Sequence, residues 1–547
     1  MGAAQHAGIF LPALVLALVL NAAALAAPPD ATSLFPAGGT IGTSVAVTAT
    51  GTFNAWPVQI LSSSSKVQGE CEKDKGKLKI HIAPYAEPGL YWFRFVDEEG
   101  ASAPRPFVVT AQPSVLEKEP NDAPKQAQQV TSSVVVQGKF DKNGDSDSYR
   151  VELAAGETIV ASLQANSILG SPADGALQIC SADGQVLAMN QDAGGLDSLL
   201  AFKATVAGSY LVRTFALAAT PNSSVNFAGG ELFVYRLTIT TGTFADYALP
   251  LAVAHEGTTP LKLFGWNAPE ESVTLAAPVS LPSEPWYWSP PNAAGLVPLK
   301  RVTIPLVVAA NEATAKEGQT INLPACISGV IAKPRDVHRF VFEGKKGAKL
   351  SLVAEAANLD FDLDPHLKVV GPDGKVVAEA DDAGKDRDPS LNVTLATEGQ
   401  YVAEIRDLHR TGGPRHVYRL TIDTPQPRLT LTVAAGSLLL EPGKPLEVPV
   451  TINRQNGFSS EVNITAIDVR AGVTAIFATS QAKGDTAKQV KLTLTATPEA
   501  KAGPFRIVAQ LNEDKEVATA TFTQTLGGST FQHSQLWLAV KPPKEKP

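Results

Sequence analysis

The chain has 547 residues, of which 44% are apolar, 18% charged and 7% aromatic. That is enough to bury several ordinary cores, about four or five domains at roughly 100 to 150 residues each, and it excludes a disordered chain. Lys plus Arg number 46 against 54 Asp plus Glu, and the one short basic run is the tail carrying Lys541, Lys544 and Lys546, so nucleic acid is not an expected partner.

Residues 9–20 form an apolar run followed by small residues and Pro28-Pro29. Length and flanks predict a secretory signal over 1–26, cut after Ala26 at Ala24-Leu25-Ala26. The run's leading segment holds no Lys or Arg, which leaves an uncleaved membrane anchor as the alternative. No later segment approaches ~18 apolar residues, so no further span is expected. The predicted location is secreted, periplasmic or at the cell envelope. Cys71, Cys180 and Cys326 fall in different predicted domains, so each reads as a buried, unpaired thiol.

Beyond the signal, Gly (43) and Pro (40) punctuate short alternating runs, the pattern of an all-β chain. Residues 27–113 read as an immunoglobulin-like β-sandwich. Within it, Gly42-Thr43-Ser44-Val45-Ala46 resembles the subtilase nucleophile motif, but Val45, Val47 and Ala49 continue it as a strand. No H-G-T-H or D-[ST]-G sequence occurs to supply a base and its orienter, nor does G-x-S-x-G, H-E-x-x-H or a Walker sequence. A noncatalytic protein is expected.

The next unit, 114–241, is repeated at 309–424. Gly138 matches Gly329, Tyr149 matches Phe340, and Gly208-Ser-Tyr210 matches Gly399-Gln-Tyr401, all at an offset of 191. Tyr235-Arg-Leu-Thr-Ile239 recurs as Tyr418-Arg-Leu-Thr-Ile422. Short period-two strands and Asp-Gly turns at Asp183-Gly184 and Asp373-Gly374 predict a β-sandwich for each copy. Residues 242–308 resemble the first module and 425–541 alternate as one more immunoglobulin-like sandwich, leaving 542–547 as a tail. The fold class is therefore all-β, tandem β-sandwiches in an extended, monomeric array. Trp286-Tyr287-Trp288, beside Pro285 and Pro290-Pro291, either packs at a domain joint or stacks on a sugar ring or partner side chain.

Glu119-Pro120-Asn121-Asp122, then Ala123, Ala127, Gly138, Asp145-x-Asp147-x-Tyr149 and Gly208-x-Tyr210, resemble the bacterial pre-peptidase C-terminal domain over 114–241, and more weakly over 309–424. The resemblance implies a secreted, noncatalytic, jelly-roll-like β-sandwich, usually an appendage of extracellular peptidases and related to collagen-binding modules. In those modules the acidic run supplies calcium ligands, which here gives Glu117, Glu119, Asn121, Asp122, Asp145 and Asp147.

The residue types alone point the same way: hard oxygen donors at this density suit Ca²⁺, which takes ~6 to 8 oxygens. The competing reading is a turn whose side chains cap backbone groups, with 141–147 as a solvated hairpin tip. Asp141, Asn143, Asp145 and Glu152 also match EF-hand spacing, but Ser146 stands where the loop needs Gly, so an EF-hand is rejected. In the second copy, the 191 offset puts Ala310, Asn311, Glu312 and Ala313 at the Glu-Pro-Asn-Asp positions and His338 at Asp147, so no equivalent calcium site is expected. Asp360, Asp362 and Asp364 are predicted on one strand face, with Asp381, Asp382, Asp386 and Asp388 in an acidic loop. The predicted function is a secreted binding or scaffold protein whose partner is an extracellular protein or polysaccharide. The alternatives are an accessory protein of a secreted peptidase, or an adhesin using Trp286, Tyr287 and Trp288.

Overall fold

A computed structural model describes residues 27–192, 195–220, 226–277, 286–310, 317–384, 386–511 and 515–541. The expected signal at 1–26, the tail at 542–547 and Asn311, Glu312 and Ala313 lie outside the described residues. The described chain is built of strands, apart from the four-residue helix Asn166–Leu169 and the 3-10 turn Ala357–Leu359. No described helix is long and apolar enough to cross a membrane. The three cysteines are unpaired, with Cys180 and Cys326 buried and Cys71 half-buried.

The first sandwich packs two five-stranded sheets face to face. One runs in the order Ser114–Leu116, Ser133–Lys139, Val234–Thr240, Thr158–Gln164, Leu199–Lys203, and the other Gln128–Gln129, Asp147–Leu153, Gly208–Ala218, Ala173–Ser181, Val186–Asn190. The second copy repeats this order strand for strand, from Leu306–Val308 and Gln319–Thr320 at its edges to Ser390–Thr394 and Val376–Ala380. Inward residues at every second position, such as Tyr149, Val151 and Leu153, fill the core between the sheets.

The repeat signature has a steric cause. Gly138 lies directly opposite Tyr235 in the antiparallel ladder, as Gly329 lies opposite Tyr418. A Cβ on Gly138 would stand 2.2 Å from Tyr235 Cζ, and one on Gly329 would stand 2.5 Å from the Tyr418 hydroxyl. Each glycine therefore makes room for a tyrosine ring lying across it.

The modules are consecutive in sequence, but they are not strung end to end as an extended array would be. Strand Gly89–Asp97 is buried on both faces. Tyr91, Phe93 and Phe95 enter the N-terminal module's own core, while Leu90 and Trp92 face outward into a second cluster with Ile168 of the first sandwich and Leu526 and Phe531 of the C-terminal module. The Trp92 and Phe531 rings meet edge to face at 4.8 Å. Arg94 donates to the carbonyls of Gly436 and Gln535 at 3.1 and 3.3 Å, and Gly528 N to Asn166 Oδ1 at 2.7 Å. An apolar outer face on the first module requires a cover, and the C-terminal module folds back to supply it.

The strand Trp286–Trp288 joins modules too. It pairs with Val297–Val302, and Trp288 bridges Gly89, so one sheet runs through the N-terminal and middle modules.

Candidate metal centre

The acidic run lies where the chain leaves the N-terminal module and enters the first sandwich. Strand Ser114–Leu116 runs parallel to Ser133–Lys139, and Glu117 continues the pairing by donating its amide to Gln137 O at 3.0 Å. Lys139 N returns a hydrogen bond to Glu117 Oε2 at 2.8 Å. Farther on, Ser148 N donates to Asn121 O at 3.1 Å, tying the linker to the strand that Asp147 begins.

These ties bring one carboxylate oxygen each of Glu117, Glu119 and Asp147 within 4.8 Å of one another. Two oxygens bound to one Ca²⁺ at about 2.3 to 2.6 Å can be no more than ~5 Å apart, so the spacing fits a single ion. Asn121 is fully buried and links both glutamates: its Nδ2 donates to Glu117 Oε1 and its backbone N to Glu119 Oε2, both at 3.1 Å. Asp145 is also fully buried and accepts from Asp141 N through Oδ2. Half-buried Asp122 accepts from Ser146 N at 3.4 Å. Glu117, Glu119 and Asp147 thus converge directly, Asn121 braces them, Asp145 is buried close by, and Asp122 flanks the set.

What remains unsatisfied is informative. Asn121 Oδ1, Asp145 Oδ1 and Asp147 Oδ1 are buried acceptors without a hydrogen-bond partner. Buried polar atoms are normally satisfied, because an orphan costs ~1 to 3 kcal/mol. Each other contact already uses the neighbouring atom: Asp147 Oδ2 accepts from Tyr235 Oη at 2.7 Å and Asn121 Nδ2 is spent on Glu117.

The charges reinforce this. Burial, followed by Glu117, pushes the Asp147 carboxyl up to about 10, while burial and the charges of Glu117, Asp145 and Asp122 raise Glu119. Burial and Asp122 raise Asp145. Lys139 pairs with Asp141 at 2.9 Å. A set of carboxylates repelling one another around orphaned oxygens is the donor chemistry of a hard cation.

Two tyrosines complete the centre and are missing from the sequence-based set. Tyr149 and Tyr235 bond to each other through their hydroxyls, and both reach Glu117 Oε1, at 3.2 and 3.1 Å. Tyr149 stands in the Asp145-x-Asp147-x-Tyr149 run and Tyr235 in the repeated Tyr-Arg-Leu-Thr-Ile strand, but neither position marks its residue as a partner of Glu117. Asp141 and Asn143 take no part: Asp141 pairs with Lys139 and Asn143 Oδ1 accepts from Gly229 N at 3.1 Å.

In the second copy His338 replaces Asp147 and bonds to the Tyr418 hydroxyl through Nδ1 at 2.7 Å. The residue opposite Glu117 is Ala309, because Ala309 N donates to Ser328 O as Glu117 N does to Gln137 O. The offset here is thus 192, which corrects the alignment on Ala310. Asp360, Asp362 and Asp364 do not share a strand face either. A 3-10 turn ends at Asp360 in a left-handed conformation, Asp362 and Asp364 follow it, and the next strand begins at Pro365. Asp388 accepts the amides of Ala356, Ala357 and Asn358 at 2.9 to 3.0 Å, closing that turn.

The segment 44–52 is a strand, as its alternation predicts. It nevertheless finds the base and acid that no motif supplied: Ser44 Oγ is 2.8 Å from His81 Nδ1, and His81 Nε2 is 3.0 Å from Glu70 Oε1. The three side chains cross neighbouring strands on a solvent-facing sheet surface, with Ser44 and Glu70 exposed. Sheltered nucleophilic catalysis needs a cleft and aimed oxyanion donors as well.

Trp286 and Tyr287 are half-buried and Trp288 is buried, all in the strand between modules. Trp288 packs in the middle module's core and Tyr287 beside the cluster that joins the modules.

No family model matches the chain, and no curated protein matches it. Among solved structures it is similar to PliG of Aeromonas hydrophila, a periplasmic inhibitor of g-type lysozyme, at 15% identity over 23% of this chain and 95% of that one, with a TM-score of 0.15. It is similar also to PliG of Salmonella Typhimurium, at 19% identity over 22% and 98% and a TM-score of 0.14. The insect immune protein hemolin is similar at 11% identity over 94% and 100% and a TM-score of 0.21. With TM-scores this low, the likenesses say nothing of what this protein binds or does.

Proposed function

We propose that this is a secreted, noncatalytic binding or scaffold protein of the cell envelope or its surroundings, whose first sandwich is a pre-peptidase C-terminal-like unit holding one Ca²⁺. The observation that carries the calcium reading is the trio of buried, partnerless oxygens of Asn121, Asp145 and Asp147 beside the converging carboxylates of Glu117, Glu119 and Asp147. Glu117, Glu119, Asn121, Asp145 and Asp147 would hold the ion, with Asp122 flanking. The ion supplies the positive charge that the cluster lacks.

Its role is architectural. Residues 117–122 connect two modules, and Lys139 of the sandwich lies 5.4 Å over the Phe35 ring of the N-terminal module. Binding would fix the linker against the sandwich and so fix the joint. Differential melting with Ca²⁺ and with chelator tests this reading, with Asp147→Asn as the variant expected to remove the difference.

A further inference from the structure

Two Asn-Gly pairs occur in the chain, Asn143-Gly144 and Asn456-Gly457. The dipeptide carries a reaction of its own. Glycine has no Cβ to shield its backbone nitrogen, which can attack the preceding asparagine Cγ and close a five-membered imide. In a folded chain the outcome depends on how the glycine N–H and the carboxamide are held. All four residues are exposed, so exposure does not separate the pairs. Their hydrogen bonds do.

Asn143-Gly144 is clasped. Gly144 N donates to Phe227 O at 2.8 Å, and Asn143 Oδ1 accepts from Gly229 N at 3.1 Å. The clasping segment is itself stitched down. The Phe227 ring stacks on Phe215 at 4.2 Å, and Ala228 N and Gly230 N donate to Ala216 O and Phe140 O, both at 2.7 Å. Both reacting groups of this pair are therefore engaged, and attack requires a local opening that lifts 227–230 away.

Asn456-Gly457 is open. It forms the turn between strands Leu446–Gln455 and Val462–Ile467, with both residues left-handed at φ 53° and 78°, the conformation that Asn-Gly turns favour. The turn's own hydrogen bond runs from Phe458 N to Gln455 O at 3.1 Å. Gly457 N has no acceptor among the described residues, and a Cβ on Gly457 would meet nothing within 4 Å. The Asn456 carboxamide donates through Nδ2 to Gln426 O at 3.0 Å. Gln426 lies between Val417–Asp423, the last strand of the second sandwich, and Arg428–Thr432, the first strand of the C-terminal module. Asn456 thus ties this linker to the C-terminal module.

We infer that Asn456 is a site of spontaneous deamidation whose conversion unties the linker, and that the clasp protects Asn143 from the same reaction. Gly457 N bonds to Asn456 Cγ, the Cγ–Nδ2 bond breaks, and the glycine proton leaves with the amide group as ammonia. Water then opens the imide: cleavage at Cγ gives aspartate, and cleavage at the backbone carbonyl gives isoaspartate, with no change of oxidation state. Either product puts a carboxylate, which only accepts hydrogen bonds, where the Nδ2 donor stood. It therefore has no proton to offer Gln426 O. Isoaspartate also adds a methylene to the main chain inside the turn. The inference goes beyond the binding and calcium readings and rests on neither.

The test is incubation of the full chain in mildly alkaline buffer, with peptide mapping by mass spectrometry at intervals and chromatographic separation of the aspartate and isoaspartate products. Asn456 should convert at least about tenfold faster than Asn143, the separation expected from two hydrogen bonds holding one pair. In urea the two should convert at similar rates, since the clasp is gone. Hydrogen exchange over 424–432 should be faster in Asn456→Asp than in the native chain. Conversion of Asn143 as fast as Asn456 in the folded protein would overturn the inference, as would an Asn456 that reacts in urea but not in the folded protein. Unchanged exchange over 424–432 in Asn456→Asp would overturn the untying of the linker.

Discussion

Tyr235 Oη donates to Asp147 Oδ2 at 2.7 Å, and at the corresponding place in the second sandwich Tyr418 Oη meets His338 Nδ1 at the same 2.7 Å. One buried tyrosine therefore faces a carboxylate in one copy and an imidazole in the other. The two copies keep one scaffold and differ in the group at its centre: Asp147 leaves Oδ1 buried without a partner, whereas His338 is bonded to Tyr418.

The imidazole has its own pH signature. Burial holds the His338 pKa at about 4, below its ordinary 6.5, and burial with Arg94 nearby does the same to His533. Between these values the unfolded chain binds more protons than the folded one, so stability rises with pH across this window. It is complete above about pH 6.5 and lost as pH falls toward 4, by up to ~3 kcal/mol per histidine. Melting curves of the native chain and of His338→Gln from pH 4 to 8 should therefore diverge in slope between about pH 4 and 6.5, the variant losing the His338 share while that of His533 remains.

Gly138 leaves no room for a side chain. Gly138→Ala should cost about 1 to 3 kcal/mol by driving a methyl into Tyr235, and should weaken any calcium response by displacing the hydroxyl that orients Asp147. Denaturant melts with and without calcium measure both effects.

The buried ion pair of Arg419 and Glu355 has a natural control. Gln164 of the first copy stands where Glu355 stands, and it accepts from Arg236 as Glu355 does from Arg419. Glu355→Ala should destabilise by roughly 3 to 5 kcal/mol because it strands a buried guanidinium, whereas Glu355→Gln should cost much less. A reversed order in thermal melts would refute this account of the pair.

The folded-back arrangement predicts coupling between residues more than 400 positions apart. Phe531→Ala should cost about 3 to 5 kcal/mol. Combined with Trp92→Ala, it should cost less than the sum, since the two rings form one contact. Additive losses in a double-mutant cycle would mean that the modules do not pack this way in solution.

The all-β class and the duplicated sandwich were legible because strand alternation and the Gly138–Tyr235 pairing are local or repeated. The fold-back was not read, although its trace is present: 90–96 reads Leu-Tyr-Trp-Phe-Arg-Phe-Val, bulky on both faces. A strand with one wet face alternates, and this one does not. The acidic run was visible as a cluster of hard donors. The tyrosines that brace it were not: Tyr149 approaches Glu117 only once the two sheets are stacked, and Tyr235 only once its strand pairs with Ser133–Lys139 in the sheet that Glu117 extends. The offset of 192 at Ala309 was hidden because one residue of slack in the linker leaves every later match in place.

The most direct test is the melting temperature of the full chain in chelator and in excess Ca²⁺, for the native sequence and for Asp147→Asn. Saturation at about a hundredfold over Kd should stabilise the native protein by ~2.7 kcal/mol, and that gain should be absent in Asp147→Asn. Identical melting of the native protein in both conditions, with no calcium retained after dialysis, would contradict the account.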